Sequence, residues 1–178
     1  MNNDLELGEI IISQEEIEKR AVEIGEKITK DYDNEEVYVI GILKGAVLWM
    51  SEVLKHIDLP TRIDFMAVSS YGASTKSSGV VKINKDLDDS VEGKNVIIME
   101  DIVDSGITLN YLKEYLQGMH PKSLKICTLL DKPEGRKKDI DVDYVGFEVG
   151  NVFIVGFGLD FNQRYRNLPY ITSVRGGE

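Results

Sequence analysis

The stretch VYVIGIL, residues 37–43, is apolar on both of its faces. A strand buried on both sides belongs in the middle of a parallel sheet covered by helices. KGAVLWMSEVLKHI follows at once and reads as a helix with Val47, Leu48, Val53, Leu54 and Ile57 as its apolar residues. RIDFMAVSSY is the next strand, NVIIME begins another, TLNYLKEYLQ is its helix, and SLKICTLL is a further buried strand. Upstream, SQEEIEKRAVEIGEKITKDY opens on a capping box, Ser13 with Glu16. Ile17, Ala21, Ile24 and Ile28 then form one apolar stripe, the mark of an amphipathic helix. This alternation implies right-handed crossovers and an α/β fold, a central mostly parallel sheet flanked by helices on both faces. The last third holds short β-like pieces and no long helix, and is expected to form a subdomain over the sheet edge.

At 178 residues the chain is long enough for one self-sufficient domain. Its formal charge of -10, from 31 acids against 21 bases, argues against a nucleic-acid or anionic-membrane surface. The single cysteine, Cys127, lies inside SLKICTLL and reads as a buried, inert thiol. No run reaches the ~18 apolar residues of a membrane span. MNNDLELGEI is polar and acidic, unlike a signal peptide, so a cytoplasmic protein is expected. Residues 69–94 do not fit the core. They read as a long loop or protruding β-ribbon whose mobile part, about 69–81, is rich in Ser and Gly. A loop this long in a compact domain is usually functional or disordered, and a lid is the expectation.

The chemistry concentrates in NVIIMEDIVDSGITLNYL. An apolar run ends in two adjacent acids, Glu100 and Asp101; Asp104 follows, then Ser105, Gly106, Thr108 and a helix. Ligands of open parallel sheets bind outside the carboxyl ends of the strands. The N–H groups from Asp104 to Thr108 precede a helix whose positive end attracts anions. Gly106 allows close approach of a phosphate, and Ser105 and Thr108 add hydroxyl donors. One turn thus offers carboxylates for hydroxyls or a metal, and a cup for a monophosphate; a sugar phosphate satisfies both. The bland alternative is that Asp104 and Ser105 merely cap the helix. An aspartyl phosphatase fits less well, because its acids stand one residue apart while Ile102 and Val103 separate Asp101 from Asp104.

VIIMEDIVDSGITL resembles the phosphoribosyl-pyrophosphate motif of the type I phosphoribosyltransferases. VIGILKGAVLWMSEV, SSYGASTKSSGVVKI, LLDKPEGR and VGFGLDFNQRYRNLPYI are similar to the bacterial hypoxanthine (6-oxopurine) branch. The resemblance implies the type I phosphoribosyltransferase fold in a single domain, with a lid at about 69–81. A small hood would form from the N-terminal segment and about 143–178. It further implies transfer of ribose 5-phosphate from 5-phosphoribosyl 1-pyrophosphate to a purine base, with Mg²⁺ and loss of pyrophosphate. In that scheme Glu100 and Asp101 engage the ribose hydroxyls, directly or through metal. Asp104, Ser105, Gly106, Ile107 and Thr108 hold the 5-phosphate, and Asp104 also acts as general acid/base at purine N7. Leu43, Lys44 and Gly45 receive pyrophosphate together with Arg166, and the Leu43–Lys44 peptide can be cis in the family. Lys132 donates to O6 of the base, Phe153 stacks on it with Ile154 at its edge, and Asp160 serves base and metal, completing a metal set of Glu100, Asp101 and Asp160. Ser70 and Tyr71 form the lid pair. EVGNVF departs from the family's Pro-Asp type of segment, with Gly150 and Asn151 near the base pocket. Relatives imply a homodimer or homotetramer and no nucleic-acid or membrane partner. A second expectation is a regulator of the same fold that senses the donor and binds RNA; the acidic charge disfavours it.

Overall fold

The computed structural model describes residues 6–70 and 81–175. Strand β1 (Glu6–Ile12) leads into helix α1 (Gln14–Tyr32), β2 (Val37–Leu43), α2 (Val47–Leu54), β3 (Thr61–Ser70) and β4 (Val81–Lys85). Then come β5 (Asn95–Val103), α3 (Ile107–Gln117), β6 (Ser123–Asp131), β7 (Tyr144–Glu148), β8 (Ile154–Val155) and β9 (Ile171–Arg175). Six strands form one sheet in the order β4-β3-β2-β5-β6-β7, parallel except where β4 returns antiparallel to β3. The chain winds from β2 outward to β3, then from β5 outward the other way. The order therefore reverses between β2 and β5, which is where an open α/β sheet leaves a crevice.

Alternation along the central strands divides the core in two. Val37 and Val39 of β2, with Ile97 and Met99 of β5, pack under α1 and α2 against Ile17, Ile28, Trp49 and Val53. Tyr38, Ile40 and Ile42, with Val96 and Ile98, pack on the opposite face against Leu109, Leu112 and Leu116 of α3. Each such side chain contributes about 1.5–3 kcal/mol on burial. The expected capping box is present: Glu16 N–H donates to Ser13 Oγ at 3.3 Å, and Ser13 N–H to Glu16 Oε2 at 2.8 Å. Cys127 is fully buried, and burial pushes its thiol up to about 12, so it is inert as expected.

Three elements differ from the sequence expectation. Helix α2 is shorter, because Gly45 and Ala46 are spent on a buried turn at the end of β2. It therefore turns Trp49, Met50 and Val53 inward and leaves Val47 exposed. Strand β5 does not stop at the acids. Pairing with β2 ends at Met99, but β6 continues opposite Glu100, Ile102 and Val103. Residues 81–85 return as a strand beside β3, the ribbon of the two expected alternatives. Finally, the 143–178 stretch gives its first strand, β7, to the large sheet, where Tyr144 is buried opposite Cys127. Arg20 of α1 lies along this edge and donates to Val145 O at 2.8 Å and Gly146 O at 3.0 Å.

Strands β1, β9 and β8 form a separate antiparallel sheet in that order. The expected lid falls mainly on residues 71–80, so Tyr71 lies outside the described residues, and only the backbone of Ser70 is described, at the end of β3.

Asp64 of β3 is buried. It accepts from Tyr38 Oη at 2.7 Å, Phe65 N–H at 2.7 Å and Asp88 N–H at 2.8 Å, with Lys85 Nζ at 3.5 Å. Burial pushes its carboxyl up, but these donors outweigh that and hold it below the ordinary aspartate value. Its contribution to stability is thus fully present above pH ~4 and is lost as pH falls through the lowered folded value. Asp64→Ala is expected to lower unfolding stability by about 3 kcal/mol, since several donors lose a charged acceptor. Urea unfolding at pH 7 checks the size, and Asp64→Asn should flatten the acid limb of stability against pH.

Candidate active site

The end of β5, which carries Glu100 and Asp101, and the turn after it, which carries Asp104, open on the crevice between β2 and β5. Both acids are half-buried. Burial pushes Glu100 well above the ordinary carboxylate range, and the neighbouring Asp101 charge adds to it. Burial also raises Asp101, against the pull of Glu100, of the Ile102 N–H at 2.7 Å and of Arg166. Such a pair gains from hydroxyl donors or a cation placed beside it, because either restores what burial removes.

Beyond the acids the chain forms a pocket of about 150 Å³ lined by Glu100, Asp104, Ser105, Gly106 and Thr108. A liquid water occupies ~30 Å³, so a phosphate group fits. The N-cap of α3 is Gly106, at φ 75°, which has no side chain to offer the helix. Of the bland reading of Asp104 and Ser105 as helix caps, only a long 3.4 Å bond from Ile107 N–H to Ser105 Oγ is present. A Cβ on Gly106 would meet Lys138 O at 2.6 Å. The Asp104 side chain is exposed and lies against Gly135, where a Cβ would come within 1.8 Å of Oδ1.

Three further segments converge on this turn. Leu43, Lys44 and Gly45 leave β2 beside it, with the Leu43–Lys44 peptide cis. Gly45 is buried, and a Cβ there would sit 1.7 Å from Asp101 Oδ2. Gly158, at φ 101°, brings the segment between β8 and β9 against Gly45, where a Cβ would meet Gly45 O at 2.0 Å. That contact places Arg166 near Asp101 and Lys44. Arg166 Nη1 donates to Gly158 O at 2.6 Å, and Nη2 lies 2.9 Å from Asp160 Oδ1. Asp160 is thus spent on Arg166, and among the described residues no three acids gather closely enough to hold a metal. Glu100, Asp101 and Asp160 do not form one preassembled cluster.

On the far side, Lys132 N–H donates to Val103 O at 2.9 Å, so the lysine begins where the acidic turn begins. Its ammonium donates to Val152 O at 2.7 Å, beside Phe153. Phe153 is 46% exposed, with Phe161 edge-on at 5.8 Å, so it is a free aromatic face rather than a core residue. Ile154, in β8, is buried behind it.

Two residues of this neighbourhood carry no sequence signal. Arg136 is 15% exposed in its side chain. It donates from Nη1 to Val103 O and Asp104 O, both at 2.7 Å, and pairs through Nη2 with Asp131. One cation thereby braces the acidic turn against the end of β6. Gln163 stands between Lys44 and Arg166. Only the folded chain brings either residue to its partners.

Residues 9–162 match the phosphoribosyl transferase domain family. The chain is 56% identical over 171 residues to the hypoxanthine-guanine phosphoribosyltransferase of Bacillus subtilis (strain 168), covering 96% of this chain and 94% of that one. It is 50% identical to the bifunctional protein TilS/HprT of Listeria monocytogenes, over 96% of this chain but only 26% of that longer protein. A solved hypoxanthine phosphoribosyltransferase from Staphylococcus aureus superposes with a TM-score of 0.92 at 47% identity, covering 98% of this chain and 94% of that one.

Proposed function

This chain belongs to the phosphoribosyl transferase domain family, and we propose from that premise that it joins hypoxanthine or guanine to 5-phosphoribosyl 1-pyrophosphate. The products are IMP or GMP and pyrophosphate, a step of purine salvage. The observation that supports this best is the stretch 100–108, where the end of β5 sets paired half-buried acids beside a helix start with glycine at its N-cap, at the point of strand-order reversal. Glu100 and Asp101 take the ribose hydroxyls. The N–H groups and hydroxyls from Asp104 through Ser105, Gly106 and Ile107 to Thr108 take the 5-phosphate. Leu43, Lys44, Gly45 and Arg166 receive the pyrophosphate. The base lies between Phe153 and the Ile154 backbone, with the Lys132 ammonium on O6. As N9 bonds to the ribose carbon and pyrophosphate leaves, the proton at N7 passes to Asp104. The described acids suit Mg²⁺ as a hard, oxygen-seeking ion held by one or two carboxylates together with substrate phosphates. Bound there, Mg²⁺ would neutralise charge on the donor's diphosphate. Ser70 and Tyr71, with the rest of 69–81, are assigned to closure over the donor, which protects an oxocarbenium-like transition state from water. The 1–178 chain is read as one catalytic domain, cytoplasmic, acting as a homodimer or homotetramer.

Incubation with Mg²⁺, the donor and each of hypoxanthine, guanine, xanthine and adenine tests this reading. Nucleotide and pyrophosphate are expected from 6-oxopurines. Failure to consume any base would overturn it.

Lys132 carries the expected base selection. An ammonium has three donors and no acceptor, so it favours a 6-oxo over a 6-amino group. One donor is already on Val152 O, which aims the others. Lys132→Ala is expected to raise KM for hypoxanthine and guanine by about 10–100-fold, the worth of one charged hydrogen bond. It should also narrow the preference over adenine. An unchanged preference would remove Lys132 from that role.

A further inference from the structure

Lys44 and Arg166 come from opposite sides of the crevice, one from the end of β2 and the other from the segment before β9. Both donate to the same atom. Lys44 Nζ lies 3.1 Å from Gln163 Oε1, and Arg166 Nη2 lies 3.4 Å from it. Gln163 does not drift into this place. Its backbone has φ 63°, in the left-handed region, which costs a non-glycine residue about 1 kcal/mol or more. Its own N–H donates to Asp160 Oδ2 at 2.8 Å, and Asp160 in turn pairs with Arg166. The loop is therefore built to present one amide oxygen to two cations.

The chemistry of that oxygen is informative. A neutral amide satisfies the two donors and keeps them converged, but it adds no counter-charge beyond that of Asp160, which pairs with Arg166. Among the described residues no carboxylate pairs with Lys44, and Arg166 Nε is buried without a hydrogen-bond acceptor. Two cations held this way are poised for an anion with oxygens spread over more than one centre. We propose that Gln163 is the resident stand-in for a diphosphate oxygen: its Oε1 holds Lys44 and Arg166 in register, and the donor's pyrophosphate displaces it. This rests on the donor site proposed above and adds to it a residue that governs entry and exit of the leaving group.

The charge state at position 163 then sets anion affinity. Gln163→Glu keeps the shape but places a carboxylate between the two cations, which competes with the incoming diphosphate. It is expected to weaken binding of inorganic pyrophosphate with Mg²⁺, measured by calorimetry on the full chain, by at least ~10-fold, the equivalent of ~1.4 kcal/mol. Binding of IMP, which carries no diphosphate, should fall far less. Gln163→Ala removes the competing oxygen without adding charge, and should bind pyrophosphate at least as tightly as the unmodified protein. A merely structural role would weaken both ligands in both variants. Pyrophosphate affinity unchanged in Gln163→Glu, or IMP affinity lost in parallel, would overturn the role of Gln163 alone. Unmodified protein that binds no pyrophosphate would overturn the donor site itself.

Discussion

Asp104→Asn is expected to lower the rate of nucleotide formation by about 10²–10⁴-fold, the usual worth of a positioned general acid or base. Affinity for 5-phosphoribosyl 1-pyrophosphate should change little. The separation follows from what the side chain does in the fold. Its carboxylate caps no helix, since Gly106 holds that position without a side-chain bond. The main chain of the turn is held independently of it: Arg136 Nη1 takes Asp104 O at 2.7 Å, and Lys137 and Lys138 N–H groups take Ser105 O at 2.9 and 3.1 Å. Asparagine has nearly the same shape, so the closeness to Gly135 and the phosphate cup both survive. What it lacks is the capacity to accept a proton from N7. Single-turnover rates beside equilibrium donor binding check this, and equal losses in both would contradict a proton-transfer role.

Gly45→Ala is expected to cost donor affinity about 10²-fold, as displacements of ~1 Å in a reacting geometry do. The added Cβ would stand 1.7 Å from Asp101 Oδ2. Asp101 has little room to yield, because Ile102 N–H fixes its other oxygen at 2.7 Å and the residue is half-buried. The loop cannot easily yield either, since Gly45 O lies hard against Gly158. Relief therefore has to come from moving the carboxylate off the ribose position or from parting β2 from the segment that carries Arg166. Titration with donor and Mg²⁺ measures the loss, and a thermal melt run in parallel separates it from unfolding. Wild-type affinity in this variant would show that Asp101 does not need its place.

Much of this architecture could be read from the chain before folding. The stripe of Ile17, Ala21, Ile24 and Ile28 and the box of Ser13 and Glu16 are local patterns, and the helix they imply is present. VYVIGIL shows its two buried faces in its composition alone, so the parallel sheet followed. Elements decided by a distant partner were harder. Strand β5 runs past its acids because β6 supplies pairing as far as Asp131, and no feature of NVIIMEDIV announces that. Strand β7 reads like the other short pieces of the last third until Tyr144 is seen buried opposite Cys127. In the candidate site, the acids and the Ser-Gly-x-Thr cup are contiguous in the chain and are visible as a motif. Arg136 and Gln163 act across gaps of about thirty and a hundred and twenty residues, and in a bare sequence each reads as an ordinary solvated side chain. Asp160 was expected beside Glu100 and Asp101, and no pattern in the sequence tells that it also pairs with Arg166 at 2.9 Å.

The position of Arg20 has a consequence for how the molecule behaves in a crowd. An outermost strand normally displays unspent carbonyls that can recruit an extended segment from another chain, the first event of fibrillar self-association. Here the guanidinium is fixed on the backbone of the outermost strand by the carbonyls of Val145 and Gly146, so a recruiting segment meets a cation there. Among the described residues the opposite margin is five residues long and bears Lys82. Both margins thus discourage templated growth by charge and brevity, leaving the crevice between them open to ligand without making the sheet itself adhesive.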